Sequence, residues 1–144
     1  MKRSMIFATL ALMLCLTGCG EASYADGTYT GRSADYVNEE DPEAGNGYGV
    51  VTLTISGGQI TACDYKTYEL NGSLKDEEYG KENGEIKNRD FYNKAQKARA
   101  ACDNYAQQLV AKQKVKDVDA VSGATVNYNE FKEAVAEALK QAQQ

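Results

Sequence analysis

The chain of 144 residues contains no histidine and no tryptophan, a single proline and only four cysteines. Without histidine there is no imidazole base, no Ser-His-Asp triad, no His-ligated zinc and no CxxCH haem attachment. Redox chemistry, if the chain performs any, must come from thiols or from an organic cofactor. The cysteines are Cys15, Cys19, Cys63 and Cys102, and none forms a CxxC pair, which argues against a thioredoxin-like activity. Long apolar runs are also scarce. Met5–Leu16 is the longest, and twelve helical residues reach about 18 Å against a hydrocarbon slab of roughly 30 Å, too short for a membrane span.

That run follows Lys2 and Arg3 and precedes Leu16-Thr17-Gly18-Cys19, the pattern of a secretion signal. LTGC resembles the lipobox of bacterial lipoproteins, which implies a signal peptide over residues 1–18 and a lipidated Cys19 as the new N-terminus. Two or three acyl chains there imply stable anchoring, where one chain is insufficient. The expected localisation is the extracytoplasmic face of a bacterial cell membrane. Without Lys2 and Arg3 the basic side chains number 14 against 21 acidic ones, a net charge of −7. That balance argues against nucleic acid as a partner and against a second, electrostatic grip on anionic lipid. Residues 19–26 are read as the lipidated cysteine and a short tether, and 27–144 as one domain.

Within the domain, Gly27–Ser33 alternates as a first strand and Asp35–Gly47 is an acidic, solvated loop without EF-hand spacing. Tyr48–Ser56 places Val51, Leu53 and Ile55 on one face. Gly57-Gly58 is a hairpin turn and Gln59–Glu69 returns. Pairing Ser56 with Gln59 sets Ile55 opposite Ile60, Leu53 opposite Ala62 and Cys63 opposite Thr52 on the more polar face. Cys63 and Cys102 then lie on poorly matched faces, and two unpaired thiols are favoured over a disulfide. Leu70–Arg89 is a charged loop. A helix from about Asp90 to Gln113 carries the stripe Phe91, Ala95, Ala98, Cys102, Tyr105 and Leu109, with Phe91 and Phe131 read as core. Val115–Val121 is expected as a last short strand. The final helix turns Phe131, Val135, Ala138 and Leu139 inward, with Asn127 and Glu130 as a capping box. The fold class is α+β, a small antiparallel sheet packed by two helices.

The approach to the last helix reads Asp119-Ala-Val-Ser-Gly-Ala-Thr125. A helix N-terminus directs free N–H groups and partial positive charge at what precedes it, Gly123 and Ala124 permit close approach, and Ser122 and Thr125 add hydroxyls. The place suits a phosphate. It equally suits an ordinary helix cap, the commoner use of such residues.

Asp-x-x-Ser-Gly-Ala-Thr resembles the flavinylation motif of the FMN-binding domain family. The resemblance extends more weakly to DGTYTG (26–31), GYGVVTLTI (47–55), KDEEYGK (75–81) and FYNKAQKA (91–98). It implies a single FMN-binding domain with one covalent FMN per chain. The phosphate would be esterified to Thr125 by a separate FMN transferase, with Asp119, Ser122, Gly123 and Ala124 as recognition and phosphate-side residues. Glu78, Tyr79 and Gly80 match the family's flavin-side segment only loosely. The single-domain lipoprotein members of extracellular electron transfer in Gram-positive bacteria look similar. That likeness implies a redox carrier more than an enzyme, taking electrons from a membrane quinol-linked donor and passing them to an extracellular acceptor or another flavoprotein. Two other readings are a cofactor-free surface binding module or immunogen in which SGAT only caps a helix, and a domain that holds FMN without a covalent bond.

Overall fold

The structure, a computed structural model, describes residues 23–144. The signal segment and Cys19 lie outside the described residues. Three strands, β1 (Gly27–Arg32), β2 (Tyr48–Ser56) and β3 (Gln59–Tyr68), form an antiparallel sheet in the order β1-β2-β3. Two helices, α1 (Arg89–Lys112) and α2 (Thr125–Ala142), cover one face, α1 along β3 and α2 across β1 and β2. The α+β class read from the sequence is the observed one.

Period-two patterning builds the sheet. Val51, Leu53 and Ile55 of β2 are buried while Thr52 and Thr54 are half-exposed on the opposite face. Beneath them Tyr65, Phe131 and Tyr105 pack with ring centroids 4.9 and 5.7 Å apart, and Leu109, Val118 and Val135 complete the core. Helix α2 lies so close to β1 that a Cβ on Gly31 would stand 1.9 Å from the Ala134 carbonyl oxygen, which only glycine avoids.

Four details differ from the sequence reading. Ile55 does face Ile60, but a bulge between Thr54 and Ile55 leaves Leu53 opposite Cys63 and Thr52 opposite Asp64. The extra residue moves Cys63 to the inner face, partly buried against the core. Cys63 and Cys102 are both free thiols. Second, Val115–Val121 forms no strand. Val115–Asp117 is a 3-10 turn, and side chains satisfy the backbone that a ladder would have used. Gln113 binds both the N–H and the C=O of Ile60, each at 2.8 Å, and Gln108 holds the N–H and C=O of Asp119 at 2.8 and 3.2 Å. The Gln113 amide thereby occupies part of the open edge of β3.

Third, part of the 19–26 stretch read as cysteine and tether is held by the fold. Tyr24 bridges to Gln143, and the Ala25 N–H donates to the Ala142 carbonyl at 2.8 Å, so these residues join the fold. Fourth, Asn127 and Glu130 form no capping box. The helix begins at Thr125, and both side chains fall on its buried face with Phe131 and Ala134. Leu139 is only half-buried, whereas Phe131, Val135 and Ala138 point inward as expected.

Candidate functional site

The segment before α2 is held from beneath. The buried Tyr105 hydroxyl accepts from the Val121 N–H at 2.9 Å and donates to the Ala124 carbonyl at 3.1 Å. Tyr128 adds a bond to the Val118 carbonyl at 2.9 Å. Gly123 turns the chain with φ +81°, a left-handed conformation that L side chains rarely adopt. Ala124 is buried, whereas Ser122 and Thr125 are exposed. A rigid base therefore carries two free hydroxyls.

Neither hydroxyl caps the helix. The residue before α2 is Ala124, no side chain makes a capping bond, and among the described residues the Val126 and Asn127 amides have no acceptor. The cap reading of SGAT thus lacks the bond it requires. Helix N-termini usually have such donors satisfied by a side chain, by water or by a ligand. Lys97 stands nearby, its Nζ 3.9 Å from where a Cβ of Gly123 would lie.

Thr125 lies on the rim of a cleft of about 340 Å³, within the range of small-molecule sites. Tyr36, Tyr79 and Phe91 supply aromatic wall, Ala95 and Ala98 of α1 give an apolar floor, and Lys94 and Arg99 add positive charge. Tyr79 meets Phe91 edge-on with centroids 5.9 Å apart. Burial, with Glu69 and Glu130 adding to it, pushes the Tyr79 phenol up to about 12, so it remains a neutral aromatic surface.

Two expectations change here. Phe91 is not core, because the first two turns of the α1 stripe border the cleft; Cys102, Tyr105 and Leu109 join the central cluster, while Ala95 is buried but lines the cleft. The acidic loop 35–47 is not merely solvated. Its ends pair through Tyr36 and Gly47, Glu43 accepts from Asn88 at 3.0 Å, and Gly45 accepts from Lys75 Nζ at 2.7 Å, so the loop forms one wall.

Of the sequence-selected residues, Gly123, Ala124, Thr125 and Tyr79 line the cleft. Ser122 sits beside it, exposed. Glu78, paired with Lys81 at 2.7 Å, and Gly80 border a neighbouring groove that shares Tyr79 and Phe91 with the cleft. Asp119 is away from the lining, with its exposed carboxylate 3.0 Å from Lys112 Nζ. Sequence reasoning missed Lys75, Thr67 and Asn127, which also form the wall. A signal existed for Asn127 and Glu130, since polar residues on the apolar stripe of a helix need a reason to be there.

A cleft with aromatic walls, opening onto an exposed hydroxyl beside a helix N-terminus, has the chemistry of a site for a ring system that carries a phosphate. The molecule is thus a small cofactor-binding domain of the flavin type. The chain belongs to the FMN-binding domain family, whose sequence model matches residues 44–140. A crystal structure of a protein from Clostridium perfringens is similar at 23% identity, with a TM-score of 0.59 over 83% of this chain and 88% of that one. A solution structure from Clostridium thermocellum is 24% identical, with a TM-score of 0.43 over 83% of this chain and 92% of that one. The first shows the same fold. No curated protein matches the chain.

Proposed function

We propose that the domain carries FMN bonded through its phosphate to Thr125 Oγ1 and relays electrons at the extracytoplasmic face of a bacterial membrane. The observation that carries this reading is the uncommitted Thr125 hydroxyl on the rim of the aromatic cleft, beside amides that lack an acceptor. Lys94 and Arg99 line the cleft opposite in sign to Asp41 and Glu43 of its loop wall, and Lys97 stands beside Gly123, where it offsets phosphate charge. Tyr36, Tyr79 and Phe91 offer faces and edges to an isoalloxazine ring, and the Lys75 amine offers a hydrogen-bond donor.

A threonine hydroxyl is too weakly acidic to attack phosphorus unaided, and no histidine is available as a base. An FMN transferase therefore makes the bond. Thr125 Oγ1 displaces AMP from the pyrophosphate of FAD, and the hydroxyl proton leaves to a base of that enzyme. The exposed Ser122 and Asp119 are accessible to such an enzyme from solvent. Covalent attachment suits a protein outside the cell. A noncovalent ligand with a dissociation constant near 1 μM is held by only about 8 kcal/mol and is lost by dilution.

Bound flavin supplies the electron chemistry, and the chain supplies position and electrostatics. The lipid on Cys19 keeps the carrier beside a quinol-linked membrane donor, from which electrons pass to an extracellular acceptor or another flavoprotein. Expression with and without an FMN transferase, followed by denaturing electrophoresis, tests the proposal. In-gel flavin fluorescence only with the transferase supports it. Flavin released on denaturation makes the site noncovalent, and no flavin in either sample leaves a cofactor-free surface module.

A further inference from the structure

Glu130 has no part in the reading above, yet its surroundings are unlike those of any other acid in the domain. It is 4% exposed on the face of α2 turned to the sheet, and among the described residues neither carboxyl oxygen has a hydrogen-bond partner. A carboxyl sealed in this way resists ionisation. The loop after β3 faces it with the Lys75 amine and the Tyr79 phenol, β3 with the Tyr65 phenol, and α1 with the Cys102 thiol. Glu133 acts from its own helix, and β2 presents only Gly49, whose absent Cβ would lie 3.1 Å from that of Glu130. Burial pushes the Glu130 carboxyl up to about 7, and Lys75 is the cation that opposes it.

Glu130 does not line the cleft, but its neighbours do. Lys75 and Asn127 form the wall, and Glu130 follows Asn127 by three residues. Those three residues span roughly 4.5 Å along the helix axis, and the five from Thr125 span roughly 7.5 Å. A charge placed in the cleft acts on Glu130 past Lys75 and Asn127, through a medium that salt screens poorly.

Resting on the flavin reading, we propose that Glu130 is an internal proton acceptor, binding one proton from solvent when the neighbouring flavin is reduced and releasing it on reoxidation. The electron comes from a one-electron or quinol-type donor, which is oxidised, and goes to the flavin. The proton comes from water and forms an O–H bond on a Glu130 oxygen, while Lys75 keeps its own proton. Each cycle thus offsets negative charge entering the cleft without moving the lysine.

The FMN-loaded full chain is reduced with dithionite in weak buffer containing a pH indicator, and proton uptake per flavin is compared with that of Glu130→Gln. Near pH 7, where the carboxyl is already about half protonated before reduction, the wild type takes up as much as about half a proton more than the variant, and the excess approaches one proton above pH 7. The difference closes below about pH 5, where the carboxyl is protonated in both states. The reduced-minus-oxidised infrared spectrum shows a protonated-carboxyl C=O band that Glu130→Gln lacks. Lys75→Met, which keeps the carboxyl, shifts the extra uptake to higher pH because the opposing cation is gone. Equal uptake in wild type and both variants with flavin bound overturns the proposal and leaves the carrier reading intact. A chain that holds no flavin overturns the carrier reading itself.

Discussion

Replacing Glu130 with glutamine should change the pH dependence of folding even when no cofactor is attached. The folded carboxyl titrates at about 7 against an ordinary value of 4.5, chiefly because burial strips its water. Between those values the folded chain holds a proton that the unfolded chain has lost, so stability falls as pH rises from 4.5 through 7 and then levels off. A displacement of that size corresponds to about 3 kcal/mol. That is a large fraction of the 5–15 kcal/mol typical of a domain. Glutamine does not titrate. It leaves buried amide atoms unsatisfied at a cost of about 1–3 kcal/mol, but the cost is the same at every pH. The informative quantity is therefore the slope. Urea unfolding of cofactor-free wild type and Glu130→Gln at several pH values from about 5 to 8 should show the variant gaining about 2.5 kcal/mol relative to wild type across the range, most of the full displacement. Lys75 pulls the other way, since its lowered titration point adds stability as pH rises through it on the alkaline side, so the series stops near pH 8. Parallel profiles for the two proteins would refute the reasoning, because they would mean that Glu130 ionises as freely in the fold as in the unfolded chain.

Tyr105→Phe removes the hydroxyl that joins Val121 N–H to the Ala124 carbonyl and should cost about 1–3 kcal/mol in urea unfolding. The same variant should acquire flavin more slowly from the transferase, since the base of the acceptor loop is loosened. Gly31→Val drives a side chain into the α2 backbone at Ala134 and should destabilise the domain by more than 3 kcal/mol or prevent its folding, judged by far-ultraviolet dichroism and melting. Burial pushes the thiols of Cys63 and Cys102 up to about 12 and about 11, so iodoacetamide at neutral pH should label neither until the chain is unfolded.

Much of the architecture is written in local pattern. The alternation of Val51, Leu53 and Ile55 and the four-three spacing through Cys102, Tyr105 and Leu109 survive in the structure because each needs only one neighbouring layer. The bulge at Thr54–Ile55 is different in kind. Nothing in GGQITAC announces an extra residue, and one such residue carries Cys63 from the outer face to the inner. VKDVDAV alternates like a strand, yet Gln108 and Gln113 reach across from α1 to take the backbone groups that a ladder needs. Side-chain reach of that kind has no period. The same holds for the site. Thr125 and Gly123 were legible as a compact motif, whereas Lys75, Tyr36 and Phe91 converge on the cleft from three separate segments. The acidic loop read as solvated because its composition is solvated. Its bonds to Asn88 and Lys75 make it a wall.

Among the described residues the Thr125 hydroxyl has no hydrogen-bond partner, and the residue is exposed, so Thr125→Val should leave stability within about 0.5 kcal/mol of wild type. That makes a clean control for the central measurement. Chain produced together with an FMN transferase is digested, and the peptide spanning Thr125 is weighed and fragmented. The account predicts one FMN less one water on Thr125 itself and an unmodified peptide from Thr125→Val. An unmodified Thr125 in the wild-type chain, or the same adduct persisting in the variant, would contradict it.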